Sequence, residues 1–75
     1  MWKVDSIIIE GVEFGYEAKV YDEPSQFGIE GGRISKLFIF DSKDNILAAY
    51  DRRWIKDPKD DILRKVIEVI CELYK

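Results

Sequence analysis

The sequence predicts an α+β fold: a four-stranded antiparallel meander (β-β-β-β-α) with one C-terminal helix packed on one sheet face. Three observations carry this. Apolar and polar residues alternate from Val12 to Val20 within the segment Val12–Tyr21, the period of a half-buried strand. A β-branched run, Ile7-Ile8-Ile9, precedes it across Glu10-Gly11. From Ile62 onward the apolar spacing changes to 3.6, the period of an amphipathic helix.

The first strand is read over Trp2–Glu10 and the second over Val12–Tyr21. Glu10-Gly11 between them is a tight turn, where Gly11 accepts the positive φ required. The third strand, Arg33–Asp41, is built on Ile34, Leu37, Phe38, Ile39 and Phe40. Ser42-Lys43-Asp44 form a polar turn, with Asp41 and Asn45 as side-chain partners of the backbone. The fourth strand is Ile46–Asp51. For the helix, Asp57 is read as the N-cap, Pro58 as the first helical residue, and Asp60 and Asp61 as complements of the positive end of the dipole. Ile62, Leu63, Val66, Ile67, Ile70, Leu73 and Tyr74 form its apolar stripe, and Cys71, flanked by that stripe, is an inert core or edge residue.

Composition bounds the function. A chain of 75 residues holds one domain, 1–75. An apolar share of 47% excludes disorder, and no apolar run approaches the ~20 residues of a membrane span. No leader pattern opens the chain, so a soluble, cytoplasmic protein with no membrane partner is expected. One cysteine excludes a disulfide framework and fits a reducing compartment. With no histidine, neither a Cys/His zinc site nor a His-based triad is available, and neither a cofactor nor a metal is expected. A net charge of −3 gives no nucleic-acid footprint.

Strand direction gathers informative residues at one end. The long loop Asp22–Gly32, three of the four arginines (Arg33, Arg52, Arg53), Tyr21 and both tryptophans fall there. In the four-strand topology the helix begins there as well. Arg offers bidentate donors for phosphate or carboxylate, and Trp and Tyr offer stacking faces. This reads as a site for an anionic, partly aromatic ligand such as a nucleotide. The competing reading is a wide loop tied down by Arg33–Glu23 or Arg52–Asp22 ion pairs. The glycines are no Walker loop.

The opposite sheet face poses a second problem. One of the sets Leu37/Ile39 and Ile34/Phe38/Phe40 must point away from the helix. Either the segment Phe27–Ile29 folds back over it, or the face is an interface; a homodimer or higher oligomer is expected.

The string Glu23-Pro-Ser-Gln-Phe-Gly-Ile-Glu-Gly-Gly-Arg-Ile-Ser-Lys-Leu37, followed by Tyr50-Asp-Arg-Arg-Trp54, resembles a family of very small proteins of unknown function encoded by Gram-positive bacteria and their phages, with the motif E-P-S-x-F-G-I-x-x-G-R-I-S-K-L. The second motif is closer to Y-D-R-G-W in relatives, and Arg53 occupies the glycine place. The resemblance implies a mobile-element origin. It also implies a binder: a decoy, an inhibitor of host defence enzymes, or a sponge for nucleotide signals. Its motif residues fall at the end where the arginines gather. The candidate ligand-binding set is therefore Tyr21, Glu23, Ser25, Gly31, Gly32, Arg33, Arg52, Arg53 and Trp54.

Three classes of function are weighed. Catalysis is the weakest: Asp22, Glu23, Glu30 and Asp51 could do acid–base work or hold Mg²⁺, but 15 acidic residues make chance proximity common. A non-enzymatic binding protein that sequesters a nucleotide-like ligand fits the arginine and aromatic cluster. The alternative is a protein–protein interaction module or inhibitor of a host defence protein, acting through the exposed sheet face.

Overall fold

The computed structural model describes residues 1–75. Five strands, β1 (Trp2–Ile9), β2 (Val12–Val20), β3 (Ile34–Phe40), β4 (Ile46–Asp51) and β5 (Trp54–Lys56), form one antiparallel sheet in chain order. Helix α1 (Asp61–Leu73) lies across one face. The two-residue turn joining β1 to β2 has positive φ at both Glu10 (51°) and Gly11 (80°), the geometry that matches strand twist. The β3–β4 turn is held by the Asp41 carboxylate, which accepts from the amides of Lys43 and Asn45, both at 2.9 Å, and from the Asn45 side chain at 3.1 Å. The Asn45 amide and side chain hold that carboxyl below its usual range.

Four strands are expected from the sequence, and the structure has a fifth. The chain reverses after Asp51 through Arg52, which takes a left-handed φ of 64°, and the Asp51 amide donates to the Arg53 carbonyl at 2.9 Å. A three-residue strand is too short to show a period, and the turn lacks the Gly or Asn that ordinarily announces a left-handed residue. The helix correction follows from this. Asp60, not Asp57, is the N-cap: its side chain accepts from the Leu63 amide at 3.0 Å, and Asp57–Lys59 are spent on the path from β5 to α1.

The extra strand also reverses the helix. Lys65, in the second turn of α1, sits 3.7 Å from Glu10 beside the β1–β2 turn, while at the far end Arg33 Nη1 donates to the Lys75 carbonyl. So α1 begins at the end of the tight turns and finishes at the end of the long loop, the opposite of the four-strand expectation.

Leu37, Ile39, Leu63, Val66 and Ile70 are the largest fully buried side chains. Each such side chain contributes about 1.5–3 kcal/mol through burial. Tyr16 and Tyr74 join sheet and helix by a 2.7 Å hydroxyl–hydroxyl hydrogen bond, and burial followed by that bond pushes the Tyr16 phenol well above its usual range. The β2–β3 pairing shifts between Lys19 and Val20: Lys19 faces Lys36 but Val20 faces Ile34, leaving Ser35 as the extra residue of a bulge. That bulge turns Ile34 into the core beside Leu37 and Ile39, whereas strict alternation groups it with Phe38 and Phe40. Phe38 and Phe40 are half-buried on the open face, and Val4 and Ile8 on β1 are exposed. The long loop does not cover that face: Ile29 enters the helix-side core and Phe27 remains exposed. No helix is long and apolar enough to cross a membrane.

Candidate functional site

The loop between β2 and β3 is bonded mainly to itself. The Ser25 amide donates to the Gly32 carbonyl (3.0 Å), Gly28 to Ser25 (2.9 Å), Gly31 to Gly28 (3.0 Å) and Gly32 to Ile29 (2.9 Å). The Ser25 hydroxyl accepts from the Phe27 amide at 3.1 Å. A Cβ on Gly28 would overlap the Gly32 carbonyl, so this glycine serves the loop's own closure and leaves no cradle for a ligand. Ile29 pins the loop to the core, and Tyr50 on β4 donates its hydroxyl to the Phe27 carbonyl at 2.9 Å. The result is a firm wall at the end of the sheet.

That wall, the β4–β5 hairpin and α1 enclose a cleft of about 1130 Å³. Tyr50 and Trp54 stand edge to face on one side, ring centroids 5.0 Å apart at 71°. Ile29 and Ile67 supply further apolar lining, Arg53 and Arg64 the cations, and Glu30, Asp57 and Glu68 the carboxylates. Arg64 is already paired with Asp61 at 2.8 Å. Arg53 is exposed and makes no side-chain hydrogen bond or ion pair, so its five donors are free to take a ligand. Cys71 also lines the cleft; burial, then Glu30 and Glu72, push its thiol up to about 11, which makes it a poor nucleophile. No group of three or more His, Cys, Asp or Glu is placed to hold a metal.

The expected site residues thus separate. Arg53 and Trp54 line the cleft. Gly32 and Arg33 line a smaller neighbouring cavity of about 170 Å³. Arg33 donates through Nε to the Tyr21 carbonyl at 2.8 Å and through Nη1 to the Lys75 carbonyl at 3.3 Å, so it ties main chain and pairs with neither Glu23 nor Asp22. Arg52 is exposed, its amide bonded to the Ser35 carbonyl at 3.1 Å; it makes no pair with Asp22. Tyr21, Glu23, Ser25, Gly31 and Arg52 lie outside both cavities. Tyr21 carries the Lys19 ammonium 5.6 Å above its ring, and Ser35 followed by Lys19 lowers its phenol from the ordinary value.

Sequence reasoning missed the helix side of the cleft. Arg64, Ile67, Glu68 and Cys71 recur at helical spacing along one edge of the apolar stripe, a signal that had no meaning until the helix direction was known. Tyr50 opens the Tyr50–Trp54 motif but is absent from the expected ligand-binding set, and Asp57 is expected at the helix cap.

No curated protein and no solved structure matches the chain. A family model described as Domain of unknown function (DUF7678) matches residues 1–75, and the chain belongs to that family over its whole length.

Proposed function

We propose that the protein is a small non-enzymatic binder that sequesters an anionic, partly aromatic ligand of nucleotide type in the cleft between α1 and the β4–β5 hairpin. The observation that carries the reading is the adjacency of an unpaired Arg53 and the Trp54 ring on one cleft wall. A planar base would stack on Trp54, which Tyr50 braces edge to face from behind, a phosphate would take the Arg53 guanidinium, and Glu30 or Glu68 would accept from base N–H groups or sugar hydroxyls. A mobile-element origin and a cytoplasmic setting belong to the same proposal.

The test is thermal melting with a panel of mono-, cyclic and dinucleotides. A ligand should raise the wild-type midpoint. Arg53→Ala should hold its own midpoint yet weaken binding by about 2–4 kcal/mol, the cost of unpairing a desolvated phosphate. Absence of any shift across the panel, or a shift that Arg53→Ala and Trp54→Ala leave intact, would refute the site.

A second reading, an interaction module for a host protein, is favoured by the open sheet face, where Val4 and Ile8 are exposed and Phe38 and Phe40 only half-buried. The two separate on absorbance: a sequestering protein purifies with a 260/280 ratio above that of two Trp and four Tyr, and an interaction module does not.

A further inference from the structure

The two edges of the sheet are unlike. β5 is three residues long and its pairing with β4 is interrupted by a register shift. β1 is eight residues long, contains no proline, and pairs with β2 without a break from Trp2↔Lys19 to Ile9↔Val12. Edges left in that state are templates for another strand.

Which groups of β1 are free follows from the hydrogen bonds. Met1 and Val20 exchange both main-chain bonds, at 3.0 and 2.8 Å. Such pairs alternate along an antiparallel ladder. Lys3, Asp5, Ile7 and Ile9 therefore spend their N–H and C=O groups on β2, while Trp2, Val4, Ser6 and Ile8 turn theirs outward; of these outward groups the Ser6 N–H is already met, by the Asp5 carboxylate at 2.8 Å. The same even-numbered residues carry their side chains on the open face of the sheet. Three of them are apolar and exposed: Trp2 at 48%, Val4 at 72% and Ile8 at 68%.

We propose that β1 pairs antiparallel with β1 of a second copy about a two-fold axis, Val4 opposite Val4 of the partner, joining two sheets into one. Charge fixes the register. Only even residues can exchange bonds across the axis, which leaves three central registers. Pairing Val4 with the partner's Ser6 sets Asp5 against Asp5, and like charges directly opposite are unfavourable. Centring on Ser6 sets Asp5 against Ile7 and Lys3 against Ile9. Centring on Val4 sets Lys3 against Asp5 on both sides of the axis, and the outward groups of Trp2, Val4 and Ser6 all find partners, the Ser6 N–H exchanging the Asp5 carboxylate for the carbonyl of the other copy's Trp2 and so releasing that carboxylate to the facing Lys3. It also puts each Trp2 opposite Ser6, with Val4 and Ile8 of the other copy as its diagonal neighbours, within reach of an aromatic side chain. The exposed apolar side chains of β1, Trp2, Val4 and Ile8, are then gathered at the join. The cleft takes no part in this contact.

Solution mass against concentration tests the proposal. The wild type should move from 8.8 kDa to twice that mass as concentration rises through the micromolar range. Val4→Pro removes only an outward N–H, a change an edge strand accepts, so it should keep the native circular dichroism and stay at the monomer mass. Lys3→Glu and Asp5→Lys should each be monomeric alone, and an equimolar mixture of the two should regain the dimer, because each charge then meets its opposite. A wild type that holds 8.8 kDa at every concentration overturns the proposal. So does a dimer that survives Val4→Pro, or a mixture of the charge variants that stays monomeric. If Val4→Pro fails to fold, the charge variants decide the question alone.

Discussion

Three arginines stand at one end of the molecule, and they do three different things. Arg33 holds two carbonyls, Arg52 holds a left-handed turn, and Arg53 is free. Their replacements should differ accordingly. Arg33→Ala should lower stability by about 1 kcal/mol, the usual worth of charge-assisted bonds at a partly wet site. Arg52→Gly should raise it by about 0.5–1 kcal/mol, because φ of 64° strains a residue with a Cβ. Arg53→Ala should leave it unchanged. A urea melting series on the three variants checks all of this, and equal losses at Arg33 and Arg53 would show that both are structural. The Tyr16–Tyr74 pair gives a pH dependence with a definite sign. The folded state raises the Tyr16 phenol above its ordinary 10.0, first through burial and then through Tyr74. The folded chain therefore holds this proton more tightly than the unfolded chain. The stability it contributes is complete below pH 10.0 and falls as pH rises from there toward the raised value. Tyr16→Phe should cost about 1 kcal/mol at neutral pH and flatten the alkaline decline. Melting points between pH 8 and 11.5 measure both effects; an alkaline slope unchanged by the substitution would place the titration elsewhere.

At the scale of elements, one missed strand accounts for most of what the residue pattern misplaced. Where hydrophobic periodicity ran long, as over Val12–Val20 and Ile62–Ile70, strand and helix are where the pattern put them. Glu10-Gly11 and Asp41–Asn45 carried turn chemistry that could be read directly. Trp54–Lys56 carried neither, because three residues show no period and Arg52 bears no mark of a positive φ. Its omission reversed the helix and hid the cleft that the helix helps to enclose. Of the candidate site, Arg53 and Trp54 could be read because strand order alone brings them to the loop end; Arg64 and Glu68 could not, because their place depends on the helix direction. The cap is where this correction can be tested. Asp57 and Asp60 are both good cap residues by type, and only Asp60 accepts a helix amide. Asp60→Ala should cost about 1 kcal/mol and Asp57→Ala close to nothing. Chemical denaturation of the two variants side by side measures the difference, and the reverse order would restore the longer helix.

Taken as a whole, the molecule is a sheet with one long bare edge and one stub. This governs what crowding can do to it. A sheet that grows without limit needs a receptive strand on both sides of every unit, so that each addition exposes a new site. Here β5 offers three residues with a shifted register, and any pairing through β1 consumes the single receptive edge of each copy. Polymerisation from the native state has no propagating end. Held at millimolar concentration under folding conditions, the protein should form no thioflavin-positive fibres. A variant in which the β5 edge is lengthened, with alternating β-branched residues replacing Asp57-Pro58-Lys59, should form them.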